Sequence, residues 1–206
     1  MLEATVFIVD DDPAIRDSLA LLLGLNDLRV QVFASAEDFL ATCRKEWHGC
    51  LLLDLRMGGM DGLTLQRALI QRDIHLPVVI ITAHGNLAAA RVAFKAGAVD
   101  FLEKPVTEAV LLAAVREALL QGAQQRARSS VQEEARTLLA LLTPREKEVM
   151  ERLAQGLSSR DVAERLGISP RTVEVYKARM MEKLGARRLP DLIRLWLTCT
   201  TPPPPG

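Results

Sequence analysis

Residues 49–56 read Gly-Cys-Leu-Leu-Leu-Asp-Leu-Arg, so an apolar run ends abruptly in the carboxylate of Asp54. A short run of this kind is typical of a strand covered on both faces, as in a parallel sheet. Ligands bind just beyond the carboxyl ends of such strands, where Asp54 is expected, half out of the core. Taken alone, Asp54 is better explained as a turn residue that ends a strand. The rest of the chain decides between these two interpretations.

Similar apolar runs alternate with segments of helical periodicity over the first 122 residues. The predicted strands are 5–9, 29–33, 49–53, 77–81 and 99–102. The predicted helices are 13–25, 36–43, 61–71, 86–96 and 107–122. This alternation, with right-handed crossovers, predicts an α/β fold: a doubly wound, five-stranded parallel sheet of the flavodoxin-like type.

Polar groups follow the last apolar residue of four predicted strands. They are Asp10 and Asp11, Asp54, Thr82 and Lys104. Because the carboxyl ends of parallel strands lie along one edge of a sheet, we expect these side chains to converge. Carboxylates brought together repel one another and need a cation, and Mg²⁺ prefers oxygen ligands.

Together these groups predict phosphoryl chemistry. Asp54 is the candidate nucleophile, because a carboxylate can attack phosphorus to form an acyl phosphate. Mg²⁺ and the Lys104 ammonium would neutralise the phosphoryl oxygens, and the Thr82 hydroxyl would donate to one of them. A cis Lys104-Pro105 peptide bond would aim the lysine inward. The candidate Mg²⁺ ligands are the carboxylates of Asp10, Asp11 and Asp54 and the backbone carbonyl of Arg56.

Four motifs make residues 3–120 resemble a response-regulator receiver domain, the phospho-acceptor half of bacterial two-component systems. The resemblance implies that Asp54 accepts a phosphoryl group from a sensor histidine kinase. It also implies that Thr82 and Phe101 form a switch pair that reorients on phosphorylation. The motifs are Val9-Asp10-Asp11-Asp12, Leu53-Asp54-Leu55-Arg56-Met57, Ile81-Thr82-Ala83-His84-Gly85, and residues 95–105, Lys-Ala-Gly-Ala-Val-Asp-Phe-Leu-Glu-Lys-Pro.

Two residues depart from the family pattern. Gly58 stands where the family usually has proline after the Arg-Met pair. This change should loosen the loop after the third strand without removing a chemical group. Phe101 stands where tyrosine is commoner, so its part in the switch would rest on packing alone.

Charge divides the chain into two parts although its formal net charge is zero. Residues 1–122 carry 11 Lys and Arg against 16 Asp and Glu, a balance of −5, and residues 123–206 carry 15 against 10, a balance of +5. An acidic part joined to a basic part predicts two domains, of which the second suits nucleic acid. The N-terminal residues show no secretory signal, no run is long enough to span a bilayer, and the scattered cysteines suit reduced thiols. These features predict a cytoplasmic protein without a membrane partner.

The second part of the chain predicts an all-α domain of four helices. The receiver domain is assigned to residues 1–122, a helical linker to 123–141, the second domain to 142–199 and a disordered tail to 200–206. A coiled-coil dimer arm is the alternative for the linker, but its heptads are few. Thr143-Pro144 starts the first helix, and the later helices are 159–166, 171–184 and 189–198. The second and third match a helix-turn-helix.

Three motifs and the segment that follows them make this domain resemble the LuxR-type output domain of the FixJ/NarL regulators, FixJ-like members most closely. They are Leu142-Thr-Pro-Arg-Glu146, Gln155-Gly-Leu157 and Thr172-Val-Glu-Val-Tyr176, followed by Met181-Glu-Lys-Leu-Gly185. Tetrathionate-type regulators similarly follow Thr-Val-Glu-Val with a basic Ala-Arg segment. Tyr176 replaces the usual histidine, which leaves DNA contacts at that position open. Without these motifs, a basic helix face would be explained as the solvent face of a small bundle.

The helix 171–184 is the predicted recognition helix. Arg171, Thr172, Val175 and Arg179 are assigned to the groove-facing side. Lys177, Lys183 and Arg187 are assigned nearer the phosphates. Glu174 is the unusual member, because a carboxylate near phosphates repels them unless it accepts from a cytosine amine or orients a neighbouring arginine.

The resemblances imply a transcription factor that dimerises on phosphorylation and binds promoter DNA, with RNA polymerase as a further partner. It would not be an enzyme, apart from slow autodephosphorylation. Two other classes stay open. A haloacid-dehalogenase-type phosphatase also uses a strand-end Asp, but it needs an acid where this chain has Arg56. A DNA-binding protein with a phosphate-independent dimerisation module would not need the complete set of Asp, Thr and Lys residues.

Overall fold

A computed structural model of the chain describes residues 4–83 and 85–200. The chain divides into two compact units, Met1–Arg126 and Ala127–Gly206. In the described residues, no helix combines the length and the apolar character that crossing a membrane requires.

The first unit is built on a five-stranded parallel sheet in the order β2-β1-β3-β4-β5. Parallel register joins each neighbouring pair, for example Val9 with Leu53 and Asp54 with Ile81. The predicted fold is therefore confirmed. The strands are β1 (Thr5–Val9), β2 (Arg29–Phe33), β3 (Gly49–Asp54), β4 (Val78–Thr82) and β5 (Asp100–Glu103).

Helices of the first unit begin where the sequence supplies caps. The side chains of Asp12, Ser35, Asp61 and Asn86 each accept a backbone N–H of the first turn, which satisfies a donor that has no partner inside the helix. The helices that begin in this unit are α1 (Pro13–Leu25), α2 (Ala36–Thr42), α3 (Gly62–Gln71), α4 (Leu87–Lys95) and α5 (Glu108–Ala140).

Side chains of the central strands alternate between two apolar layers, one on each face of the sheet. In β3, Leu51 and Leu53 pack in the layer that also contains residues of α2 and α3. Cys50 and Leu52 pack in the layer that contains residues of α1 and α5. Complete burial of each aliphatic side chain stabilises the fold by roughly 1.5–3 kcal/mol. Burial on both faces explains the unbroken apolar runs in the sequence.

The second unit forms around its own apolar core. That core joins Leu139 and Leu142 to buried residues of four short helices, including Met150, Val173 and Leu192. Left-handed glycines, Gly167 and Gly185, end the second and third of these helices. The helices are α6 (Pro144–Ala154), α7 (Ser159–Leu166), α8 (Pro170–Leu184) and α9 (Leu189–Thr200).

Three details differ from the sequence-based expectations. Asp54 is the last residue of β3 and only 6% exposed, so it is not half out of the core. The fifth helix does not end near residue 122: α5 continues to Ala140, so the segment predicted as a helical linker continues the fifth helix. Thr200 is the last residue of α9 and is not part of a disordered tail, and residues 201–206 lie outside the described residues.

Candidate functional site

A lysine bridges two buried carboxylates at the carboxyl edge of the sheet. The Lys104 ammonium lies 2.7 Å from Oδ2 of Asp10 and 3.0 Å from Oδ1 of Asp54. The two aspartates follow or end the adjacent strands β1 and β3, and Lys104 follows β5. The site is thus assembled from three strands and lies beside the point where the strand order changes direction.

Alternation along the strands explains why these three side chains meet. Asp54 continues the series of Cys50 and Leu52, which face α1 and α5. Asp10 likewise follows Val6 and Ile8 on that face. The peptide bond Lys104-Pro105 is cis, as predicted, and the backbone N–H of Lys104 donates to the carbonyl of Thr82 at 2.8 Å. The strand ends therefore hold the lysine and both carboxylates on the same side of the sheet.

The carboxylate of Asp54 is desolvated yet well bonded. Burial raises its pKa above the usual aspartate range, although the hydrogen bond and charge of Lys104 and the backbone N–H of Arg56 oppose this rise. That N–H donates to Oδ2 at 2.7 Å. Burial would lower the pKa of Lys104, but its bonds to Asp10 and Asp54 outweigh burial and hold the pKa above its usual range. The result is a basic, oriented carboxylate beside a stable ammonium.

Gly62 brings the start of α3 against the backbone of Asp54. A Cβ atom at Gly62 would lie 2.4 Å from the carbonyl oxygen of Asp54, which is too close for any other residue without movement. The backbone N–H of Gly62 donates to the carbonyl of Leu55 at 3.0 Å. This close approach fixes the turn that follows the candidate nucleophile.

The third acid of the predicted cluster, Asp11, is exposed. Its Oδ2 accepts the backbone N–H of Gly58 at 2.9 Å. Within residues 4–83 and 85–200, no three acidic, histidine or cysteine side chains lie close enough to hold a metal ion as arranged. The donor chemistry still fits Mg²⁺, because the carboxylates of Asp10 and Asp54 lie together at the sheet edge and Asp11, the next residue after Asp10, adds an exposed third carboxylate.

Thr82 and Phe101 lie towards the other face of the sheet. Thr82 is buried at the end of β4 and continues the series of Val78 and Ile80. Phe101 is partly buried and packs against the same apolar layer. A Cβ atom at Gly85 would lie 3.1 Å from its ring, so the loop after β4 runs close to Phe101. The sequence motif Ile81–Gly85 also contains His84, which lies outside the described residues.

Two polar contacts of the first unit had no signal in the sequence. The Arg16 guanidinium donates to the backbone carbonyl of Asp10 at 2.7 Å. The buried Gln66 amide of α3 donates to the carbonyls of Ala93 and Ala96 at the end of α4, at 3.3 and 3.1 Å. A helical periodicity shows that such residues lie on a helix, but it does not show which carbonyl they reach.

The recognition helix predicted in the second unit is α8. Val173, Met180 and Leu184 face its core, and Tyr176 packs against the same core. The side chains of Arg171, Val175 and Arg179 are exposed, as is Arg187 beyond the end of α8. The Thr172 hydroxyl is 2.8 Å from that of Ser169, the residue that caps the helix. The exposed face thus offers two arginines around an apolar valine, which suits base edges in a major groove.

Two lysines assigned to DNA phosphates are bonded within the unit. Lys177 lies 2.9 Å from Oε1 of Glu174, which also accepts the Ser159 hydroxyl at 2.6 Å. Lys183 lies 2.7 Å from Oε2 of Glu146. Glu174 is exposed, and in the part of the chain that the structure describes its carboxylate bonds a lysine and a serine rather than an arginine.

Glu146 is the buried acid of the second unit, with only 2% of its surface exposed. It completes a capping box at the start of α6: its side chain accepts the Thr143 N–H, and its own N–H donates to the Thr143 hydroxyl oxygen. The Thr143 hydroxyl also donates to the Glu146 carboxylate. Burial would raise the pKa of Glu146, but the hydrogen bonds from Lys183 and Thr143 outweigh burial and hold the pKa below its usual range. The capping box was visible in the sequence, but the pairing with Lys183 was not.

Two family models match the chain. The response regulator receiver domain matches residues 6–116, and the luxR family of bacterial regulatory proteins matches residues 140–196. Among similar proteins, the transcriptional regulatory protein FixJ of Azorhizobium caulinodans is 42% identical over 96% of this chain and 94% of its own length. The transcriptional regulatory protein TdiR of Thauera aromatica is 40% identical over 92% of this chain and 84% of its own.

Solved structures agree with these matches. The response regulator StyR aligns with a TM-score of 0.80 and 40% identity, over 94% of this chain and 98% of that one. Full-length FixJ from B. japonicum aligns with a TM-score of 0.59 and 38% identity, over 96% of this chain and 98% of that one. With receiver geometry in the first unit and a helix-turn-helix in the second, this chain belongs to the two-component response regulators of the FixJ type, which carry a receiver domain and a luxR-type DNA-binding domain.

Proposed function

We propose that this protein accepts a phosphoryl group on Asp54 from a sensor histidine kinase and then binds promoter DNA as a dimer. The observation that carries the proposal is the Lys104 ammonium held between Asp10 and Asp54 at the carboxyl edge of the sheet. A desolvated carboxylate beside a fixed cation suits nucleophilic attack on a phosphoryl group. The roles proposed below for the residues around Asp54 follow from this geometry.

In this proposal, the Arg56 N–H and the Lys104 ammonium orient Asp54 so that one carboxylate oxygen can attack phosphorus. The P–N bond of the kinase phosphohistidine breaks as the new O–P bond forms, and the histidine imidazole leaves. Lys104 then stabilises charge on the transferred group, and Thr82 donates its hydroxyl to it. Mg²⁺, when bound, supplies a second positive charge on the phosphoryl oxygens. Its ligands would be Asp10, Asp11, Asp54 and the backbone carbonyl of Arg56.

The proposed switch joins phosphorylation to the surface of the first unit. Movement of Thr82 towards the phosphoryl group would free space that Phe101 can fill, since both lie on the same face of the sheet. The helix after this loop, α4, carries exposed apolar side chains at Leu87, Val92 and Phe94. These are suited to cover one another when two molecules dimerise. Partners beyond the kinase and the DNA would include RNA polymerase, and the protein would act in the cytoplasm.

Dimerisation should follow phosphorylation. Adding beryllofluoride and Mg²⁺ to the full-length protein should produce a heavier species in sedimentation velocity, because the phosphoryl mimic binds one arrangement of the switch more tightly than the other. The same treatment should tighten binding to an operator. The Asp54→Asn protein is the control and should sediment unchanged. A wild-type monomer whose DNA affinity also does not change would contradict the proposal.

Base reading by the recognition helix can be tested at Arg179. Arg179→Ala should weaken operator binding by roughly 1–3 kcal/mol and relax specificity at one base position, because a bidentate arginine–guanine contact discriminates between bases. Footprinting on operators mutated singly at each position measures both effects. Arg194→Ala, on α9, is a matched control that should leave specificity intact. Wild-type footprints from Arg179→Ala would show that α8 was assigned to the wrong role.

A further inference from the structure

We infer that Glu174 restrains Lys177 and thereby limits sequence-independent DNA binding, which makes Glu174 a specificity-determining residue of the recognition helix. The inference rests on the DNA-binding function proposed above. It adds to that function a residue that weakens binding to DNA of the wrong sequence. It arises from three side chains that the fold brings together: Ser159 at the start of α7, and Glu174 and Lys177 on α8.

The geometry of this group is compact. Oε1 of Glu174 accepts the Ser159 hydroxyl at 2.6 Å and lies 2.9 Å from the Lys177 ammonium. The ammonium is also 3.5 Å from the Ser159 hydroxyl oxygen. Only 18% of the Lys177 side chain is exposed, whereas 57% of that of Glu174 is exposed. The lysine is thus the enclosed member of the pair, and the carboxylate is the exposed one.

The charge of Glu174 lowers the affinity of the recognition helix for DNA of any sequence. A free lysine next to a duplex gains affinity for any sequence, because it neutralises a phosphate and releases counterions. A lysine already paired with a carboxylate has less to gain, and the carboxylate adds repulsion towards phosphates. The hydrogen bonds from Ser159 and Lys177 hold the pKa of Glu174 below its usual range, so the carboxylate stays ionised. This anchored acid removes one positive charge from the helix face that approaches DNA.

The hydrogen bond from Ser159 makes the Glu174–Lys177 ion pair different from an ordinary surface ion pair. Exposed lysine–glutamate pairs three residues apart are weak and readily exchange with solvent. Here the carboxylate has a second partner on another helix, 15 residues earlier in the chain. The contact ties the first turn of α7 to the second turn of α8, which orients both the acid and the lysine. Specificity is the difference between right and wrong affinities, so suppressing the wrong one improves it.

The test uses full-length protein, fluorescence anisotropy and a random-sequence duplex over a series of salt concentrations. Glu174→Gln should bind this duplex roughly tenfold more tightly at low salt, with a slope of log K against log salt that is steeper by about 1. Glu182→Gln is the charge-matched control: Glu182 is exposed on the same helix and makes no ion pair or side-chain hydrogen bond within the described chain. It should shift affinity only slightly and leave the slope unchanged.

A double-mutant cycle with Lys177→Ala gives the decisive comparison. In the wild-type background, Lys177→Ala should change nonspecific affinity by less than about twofold, because Lys177 is restrained. In the Glu174→Gln background it should remove most of the gain in nonspecific affinity, and what remains is the repulsion that the carboxylate no longer exerts. Equal effects of Lys177→Ala in both backgrounds, or equal slopes for Glu174→Gln and Glu182→Gln, would overturn the inference.

Operator DNA separates this inference from the function on which it rests. Glu174→Gln should lower the ratio of operator to random-sequence affinity by raising the second value. If instead Glu174→Gln loses operator affinity with unchanged nonspecific affinity, Glu174 reads a base and the inference is wrong while the proposed function stands. If wild-type protein treated with beryllofluoride binds neither duplex at low salt, the proposed function fails and the inference fails with it.

Discussion

Asp54→Asn should reduce labelling of the protein by acetyl phosphate and Mg²⁺ to background. The amide has nearly the same shape as the carboxylate and can still accept the Lys104 hydrogen bond, so the sheet edge should stay folded. Its nitrogen, however, carries no lone pair available for attack on phosphorus, and the negative charge that makes Asp54 a nucleophile is lost. The measurement is incorporated phosphate that is labile to acid and to base.

Asp61→Asn is the matched control for this experiment. Asp61 lies seven residues further along and caps α3 through a bond of 2.7 Å to the Thr64 N–H, a role that asparagine also performs well. This variant should be labelled like the wild type and should show the same melting temperature. Base-labile phosphate that persists on Asp54→Asn would show that another residue accepts the phosphoryl group and would contradict the assignment of Asp54.

Lys183→Met should destabilise the second unit by about 1–2 kcal/mol. The substitution leaves the buried Glu146 carboxylate without its cation, a loss that costs roughly 3–5 kcal/mol when both partners of an ion pair are buried. The expected cost is smaller here because the Lys183 side chain is 36% exposed and both Thr143 donors still bond the carboxylate. Methionine preserves most of the aliphatic stem, so lost packing contributes little. Urea unfolding followed by the fluorescence of Trp196, which packs in this unit, measures the effect.

Lowering the pH should narrow the difference in the free energy of unfolding between Lys183→Met and the wild type. The pKa of Glu146 is lowered in the folded state, so the stability that its carboxylate contributes is fully present above the pKa that Glu146 has in the unfolded chain. It is lost as the pH falls from glutamate's usual pKa through the lowered folded pKa. In Lys183→Met the carboxylate lacks its cation and protonates at higher pH, which removes the unpaired charge. Unfolding free energies measured across this acid range should therefore converge.

Lys147→Met supplies the control for the lysine substitution. Lys147 is exposed on α6 and, among the residues described, has no carboxylate partner. Its replacement should change the free energy of unfolding by less than about 0.5 kcal/mol. If Lys183→Met is equally harmless yet flattens the salt dependence of DNA binding by about 1, Lys183 contacts a phosphate as first assigned, and its pairing with Glu146 is unimportant.

Local patterns in the sequence were sufficient for the framework of this protein. Unbroken apolar runs specify buried parallel strands, because both faces of the sheet are covered. Polar residues directly after those runs must then lie at one edge, which is why Asp10, Asp54 and Lys104 could be named together. Caps and glycines marked most helix ends, since they act within one turn. The family motifs, matched over both units, added the response-regulator fold and function.

The tertiary structure decided the pairings on which the charges depend. Lys104 meets Asp10 across 94 residues, Lys183 meets Glu146 across 37, and Glu174 meets Ser159 across 15. No periodicity encodes such partners, because a long side chain can reach several neighbours and only the packing of whole elements fixes its choice. The sequence therefore predicted a nucleophile with its lysine and a recognition helix. Packing determined which carboxylate oxygens Lys104 bridges and which lysines of α8 are already paired with an acid.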